Sequence, residues 1–342
     1  MQVEITQISC PNCSSKSIKK AGIQKTQNQK QRYKCKSCAR VFLQQPTNKT
    51  YPLRIILKAL SLYNLGHPQA NIQKLIHTKQ KPSQKTISNW ISEFKPLLLY
   101  HRLRHQTKHQ DPDEIIQTHT FMHNNLPYKF QIHTLKLKQL FQDTKFNHHS
   151  KFLPIKTYLE KIPTSAFPHH IFKPEHHIQN HSDRSSQIKF KHLKITTLSK
   201  SNLANKLTAL ALNLAKNNKQ RHEVIQDFML TNDSTTLATE VPIYLTKDDL
   251  LYFASKGFSL NPKDYNTPIT GHVDLLQIRN NLVHILDYKP EANKTNPVEQ
   301  LTIYALALAS RTKLDLKSFK CAWFDENNYY EFFPLHVVYK KK

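Results

Sequence analysis

Glycine is scarce in this chain, with 4 among 342 residues, while proline stands at an ordinary 18. That composition excludes a collagen-like fibre and a flexible linker. No apolar run reaches the roughly 18 residues that a membrane-crossing helix needs, so no membrane partner is expected. The opening MQVEITQISCPNC lacks the charged-then-apolar pattern of a signal peptide. The expectation is an intracellular protein, cytoplasmic and nucleoid-associated. Hydrophobic residues make up 38% and aromatics 10% of the chain. At this length that is enough for two or three domains and at least one sizeable core.

Acidic residues are missing where basic ones are densest. Residues 1–110 hold 20 Lys and Arg against 2 Asp and Glu, and residues 111–221 hold 17 against 7. Residues 222–342 hold 13 against 15, so the net charge of +26 belongs to the first two thirds. A polyanion is the simple partner for such a surface, and DNA is the usual one. A solvated basic tail or an anionic membrane surface fits poorly, because the basic residues are interleaved with folded-domain patterning.

Four of the five cysteines form two C-x-x-C pairs, Cys10 with Cys13 and Cys35 with Cys38. Two such knuckles supply four thiolates for tetrahedral Zn²⁺. The segment between them is too polar to build a core, so the metal would hold the fold. Disulfides are the competing reading, disfavoured by the expected reducing compartment. Cys321 stands alone in an apolar context and reads as core. The stretch YKCKSCARVF and the preceding C-P-x-C knuckle resemble the amino-terminal zinc ribbon of insertion-sequence-type transposases. The resemblance spans roughly residues 8–45 and implies DNA binding rather than chemistry.

Residues 52–94 read as three helices. The first carries Leu53, Ile56, Leu57 and Leu60 at helical spacing and stops at Gly66. The second places Ile72, Leu75 and Ile76 inward. The third starts at Ser83 as N-cap and makes an apolar face of Ile87, Trp90, Ile91 and Phe94. Its outer face shows Gln84, Lys85, Ser88 and Asn89, side chains suited to a major groove and its phosphates. A plain three-helix bundle gives the same periodicity. The charge and the neighbouring knuckles favour a helix-turn-helix, and the segment looks like the one that follows such ribbons in transposases.

Residues 99–200 are basic and rich in His, and no role is assigned to them. HQDPDEIIQTH reads as a break between domains, YKFQIHTLKLKQL as a strand and FLPIKTYLEKIP as a short helix. The histidine clusters follow no ligand frame, so surface histidine is the expectation. No acid sits at the end of a clear strand here, which counts against a carboxylate-triad transposase.

The last third carries the candidate chemistry. TGHVDLLQIRNNLVHILDYK reads as a hairpin turning at Asn280-Asn281, because Asn tolerates positive φ. Arg279 then faces Leu282, and the same register sets Asp274 opposite Asp287. Lys289 points to the same side as Asp287. Opposed carboxylates repel unless a cation compensates, and hard oxygen ligands suit Mg²⁺ or Mn²⁺. A helix then starts with Asn296 as N-cap and Pro297 at its first position. It carries Gln300 and Tyr304 on one face.

Asp274 after Gly271, Asp287-x-Lys289 and Gln300-x-x-x-Tyr304 resemble, in that order, the motifs of the PD-(D/E)xK nuclease superfamily in its RecB-like and Cas4-like branch. The resemblance covers residues 205–335. It implies a restriction-endonuclease-like mixed sheet flanked by helices. It also implies that a histidine on an upstream helix, here His222, joins Asp274 and Asp287 at a catalytic metal. Lys289 would stabilise phosphorane charge, and Gln300 with Tyr304 would orient DNA or Lys289. Glu240 is a secondary candidate. The family's usual glycine before the histidine is absent, replaced by Asn217-Asn218-Lys219. The iron–sulfur cluster of some relatives cannot form around Cys321 alone.

The expected architecture is multidomain α/β: a zinc ribbon at 1–47, a helix-turn-helix at 51–98, a middle region at 99–200 and a nuclease-like domain at 201–342. The expected function is metal-dependent DNA cleavage in a mobile-element setting. A DNA-binding regulator with an inert nuclease fold, and a transposase with an unseen triad, stand as alternatives.

Overall fold

A computed structural model describes residues 10, 15–23, 31–43, 51–78, 80–97, 101–123, 126–142, 147–162, 183–188, 198–199, 201–258 and 268–339. By contacts the chain divides into two units, Met1–Leu53 and Arg54–Lys342. The first is a three-stranded antiparallel sheet of β1 (Ile18–Ile23), β2 (Gln31–Cys35) and β3 (Val41–Leu43). Cys35 closes β2 and is fully buried, so the strand delivers a thiol to the interior of a sheet with little apolar mass.

In the second unit, α1 (Leu53–Asn64), α2 (Gln69–Leu75) and α3 (Gln84–Phe94) form the expected helical trio. Ser83 caps α3, its hydroxyl accepting from the Thr86 N–H at 3.1 Å. Ile87, Trp90 and Phe94 are buried as read from the spacing, while Ile91 at the edge of that face is only half-buried. Leu75 is not inward: it is 41% exposed, while Ile72 and Ile76 are buried. In a helix of seven residues the Ile72–Ile76 stripe takes the contacts, and Leu75 at its last turn faces solvent. Gly66 ends this run at φ +97°, packed so closely on Thr107 that an added Cβ would lie 2.3 Å from its carbonyl oxygen.

The helices α4 (His101–Thr107) and α5 (Pro112–Ile115) lead into the hairpin β4 (Ile116–His123) and β5 (Leu126–His133), followed by α6 (Thr134–Gln142) and α7 (Leu153–Lys161). The expected strand YKFQIHTLKLKQL therefore splits at Thr134. The alternating leucines after it belong to a helix that buries Leu135 and Leu137. Further on come β6 (Asp183–Arg184), β7 (Leu198–Ser199), α8 (Leu203–Ala211), α9 (Arg221–Asn232), β8 (Thr236–Leu245), α10 (Lys247–Ser255), β9 (Ile269–Arg279) and β10 (Leu282–Tyr288). The chain closes with α11 (Val298–Thr312), β11 (Phe319–Phe324), β12 (Tyr329–Phe332) and α12 (Leu335–Val338).

One mixed sheet runs in the order β4-β5-β8-β9-β10-β11-β12-β7, with β6 paired to β9. Strands from the middle region thus extend the sheet of the carboxy-terminal third. The β10–β11 pair is parallel, and α11 makes the crossover that a parallel pair requires. α11 is buried almost throughout. Its Leu301, Ala305 and Leu308 share one core with Val241, Val273 and Ile285 of three adjacent strands. Each such leucine contributes about 1.5–3 kcal/mol by leaving water. The helix begins one residue later than its sequence suggests. Pro297 is the cap and its carbonyl accepts the first helical bond, from the Leu301 N–H at 2.9 Å.

Candidate functional site

The Asn280-Asn281 turn has φ of +49° and +59°, and Arg279 pairs with Leu282. The ladder continues to Leu275 opposite Leu286, so the next step brings Asp274 beside Asp287. On the other side of β9, Thr239 pairs with Leu275 and Val241 with Val273, which sets Glu240 beside Asp274. Three carboxylates therefore lie in a row across β8, β9 and β10. Glu240 is itself held at φ +49°, a left-handed conformation that costs a non-glycine residue about 1–3 kcal/mol.

Two helices complete the cluster. From α9, His222 Nε2 lies 3.5 Å from Asp274 Oδ2. One turn later Gln226 Nε2 donates to Glu240 Oε1 at 2.6 Å. The backbone N–H of Tyr288 donates to Asp274 Oδ2 at 3.0 Å, and the Lys289 ammonium is 2.8 Å from Asp287 Oδ2. From α11, Gln300 Nε2 donates to the Tyr304 hydroxyl at 2.7 Å. That hydroxyl also hydrogen-bonds Ser185, and the Asp287 and Asp274 charges both act on it. Gly271 allows this approach: a Cβ there would sit 2.5 Å from Ser185 Oγ and 2.6 Å from the Tyr304 ring.

Burial pushes Asp287 well above the usual carboxylate range, and the neighbouring Asp274 charge adds to it against the pull of Lys289. Asp274 resists its own burial through His222 and ends lowered. The two carboxyls are thus pushed apart, Asp287 upward and Asp274 downward. Burial and Asp274 raise Glu240 to about 7. For His222 burial acts downward, but its hydrogen bond to Asp274 and that charge win, and its pKa rises. Lys289 is likewise raised, burial being outweighed by Asp287 and Asp274.

Sequence reading named Asp274, Asp287, Lys289, His222, Gln300 and Tyr304, and the fold brings all six together. Glu240, a secondary candidate, stands in the row itself. Gln226 and Ser185 were missed. Gln226 carried one signal, its place four residues after His222 on the same helix face. Ser185 carried none.

Among the described residues, Cys10, Cys35 and Cys38 form the one group of three or more histidine, cysteine or acidic ligands whose atoms all lie within 4.8 Å of one another. Cys10 Sγ and Cys38 Sγ are 3.6 Å apart, close to the roughly 3.8 Å that 2.3 Å Zn–S bonds impose in a tetrahedron. Cys13 lies outside the described residues. The acid cluster around Asp274 does not close to that spacing. On α3, Gln84, Lys85 and Asn89 are exposed and Ser88 is half-buried. No helix among the described residues is long and apolar enough to cross a membrane. No family model, curated protein or solved structure matches the chain.

Proposed function

We propose that the protein is a metal-dependent DNA nuclease of PD-(D/E)xK type, brought to DNA by its zinc ribbon and helix-turn-helix. The observation that carries this reading is the meeting of Asp274, Asp287, Lys289 and His222 at one place from three separate elements. A core has no use for two buried carboxylates and a third half-buried beside them, opposed by one ammonium and one imidazole. The donor set suits Mg²⁺ or Mn²⁺, held by Asp274 and Asp287 with His222 and Glu240 beside them. Such a cation supplies Lewis acidity toward a phosphate oxygen and a lowered pKa for water. Lys289 stabilises charge developing on the phosphorane. Tyr304, tied to Gln300 and Ser185, closes the wall beside Asp287 and orients the DNA backbone. Cys10, Cys13, Cys35 and Cys38 hold Zn²⁺ in this reading, and Gln84, Lys85, Ser88 and Asn89 face the groove.

The test is cleavage of plasmid and single-stranded DNA with Mg²⁺, with Mn²⁺ and with neither, alongside Asp287→Asn and Lys289→Met. Cleavage that needs the cation and falls by roughly 100- to 1,000-fold in both variants is expected. Cleavage equal in all three proteins sinks the assignment. Binding with no cleavage at all supports the inert regulator instead.

A further inference from the structure

Helix α9 has polar residues buried at its far end as well as at the carboxylates. Asn64 of α1 and Asn232 of α9 are 4% and 0% exposed, although 168 residues separate them. Asn64 Nδ2 donates to Asn232 Oδ1 at 2.7 Å, and Asn232 Nδ2 donates to Ser61 Oγ and to the Phe228 carbonyl, each at 3.0 Å. A buried amide pair satisfies its donors and acceptors in one relative placement only. A slip of one helix on the other leaves them unpaired at about 1–3 kcal/mol each.

The same end of α1 is held from other sides. Arg104 of α4 donates to the carbonyls of Tyr63 and His67, the latter at 3.0 Å, and stacks over the Tyr63 ring at 4.1 Å. Leu65 packs against Leu103, Ile115 and Leu135. Next to Leu135, the buried Lys136 ammonium is bound by the carbonyls of Leu230 and Asp233 and by that of Thr236 at 3.0 Å. It thereby pins the turn from α9 into β8. The end of α1 is thus clamped to the very turn whose two arms carry His222 and Glu240. His222 stands ten residues from Asn232, about 15 Å along the helix at 1.5 Å per residue.

We infer that Asn64 and Asn232 are positioning residues that fix the helix-turn-helix at one distance from the carboxylate cluster, so that DNA held on α3 is cut at one fixed offset from the sequence bound. The cutting part of this inference rests on the nuclease reading; the fixed distance does not. Among the described residues α1 is bonded directly to α9, and the scissile phosphate is selected by protein geometry rather than by a second sequence contact.

Two measurements on the full zinc-loaded chain separate the parts. Spin labels introduced as non-canonical amino acids at the exposed positions Ser92 on α3 and Lys219 in the turn just before α9 report the distance between the two helices. A single narrow distribution is expected in the parent and a broadened one in Asn64→Ala combined with Asn232→Ala. A broad distribution in the parent overturns the inference, whether or not the protein cuts DNA. Cleavage ends are then mapped on a duplex carrying a sequence selected by binding. One offset is expected for the parent, and ends spread over several base pairs for the double variant, at unchanged DNA affinity. A spread pattern already present in the parent also overturns it. A narrow distance with no cleavage condemns the nuclease reading alone. A melting curve of the double variant guards against global unfolding. Should it unfold, Asn64→Asp, which keeps the size and loses the donated bond, takes its place in both measurements.

Discussion

Replacing Glu240 with Gln should stabilise the protein, and should do so only above about pH 5. Burial and the Asp274 charge lift Glu240 from 4.5 to about 7. Between those values the folded chain keeps a proton that the unfolded chain has released. Stability therefore falls as pH rises through this window, and the penalty is complete above about 7. A gap that wide is worth roughly 3 kcal/mol at 1.36 kcal/mol per pH unit. Solvent screening at this half-buried group reduces that to about 1–3 kcal/mol. The introduced amide oxygen still accepts from Gln226, and the left-handed backbone is common to both proteins, so neither term changes the comparison. The assay is the melting temperature of zinc-loaded protein without added Mg²⁺ or Mn²⁺, from pH 4.5 to 8.5. At about 2 °C per kcal/mol the variant should melt about 2–6 °C higher at pH 8 and equally at pH 4.5. A variant less stable than the parent at pH 8, or a shift independent of pH, would refute the reasoning that Glu240 is a half-buried, charge-burdened member of the row.

Gly271→Ala should cost about 1–3 kcal/mol through the clash with Ser185 and Tyr304, and should reduce cleavage while leaving DNA binding intact. Cleavage and filter-binding assays on the same preparation check it. Gly66→Ala should cost about 2–4 kcal/mol, from positive φ and the Thr107 carbonyl together, in a thermal or urea unfolding curve. Gly257→Ala, at φ +82° with nothing within 4 Å, should cost only about 1 kcal/mol, and equal losses at the two sites would contradict the packing argument. Cys35→Ser should lower bound zinc well below one per chain and weaken DNA binding without shifting the main melting transition of the second unit. Elemental analysis with calorimetry reads both.

Local signals were legible wherever the chain returns to itself quickly. The Asn280-Asn281 turn dictates the β9–β10 register, because two residues with positive φ leave one way to pair the strands. Ser83 marks the start of α3 for a similar reason, its hydroxyl serving an N–H three residues on. The two C-x-x-C pairs show in their spacing which thiols converge, and Cys10, Cys35 and Cys38 do converge. The Gln300–Tyr304 contact is one helical turn and needs no fold to predict it.

Other features depend on partners far away in sequence. The pairing of β8 with β9 joins residues 236–245 to residues 269–277, and no turn residue sets that register. Glu240 therefore meets Asp274 through a pairing that only the tertiary structure sets. Ser185 reaches Tyr304 through a short strand, and Gly271 shows its purpose only once both lie against it. Leu135 and Leu137 alternate like strand residues, and the burial offered by neighbouring elements decides that they are helical. The amides of Asn64 and Asn232 look like ordinary polar residues in the sequence, 168 positions apart. Loop-closure entropy over such a span is repaid by the whole core rather than by any local contact. Spacing alone thus determined which residues this protein has for chemistry; the packing of distant strands and helices decided which of them stand side by side.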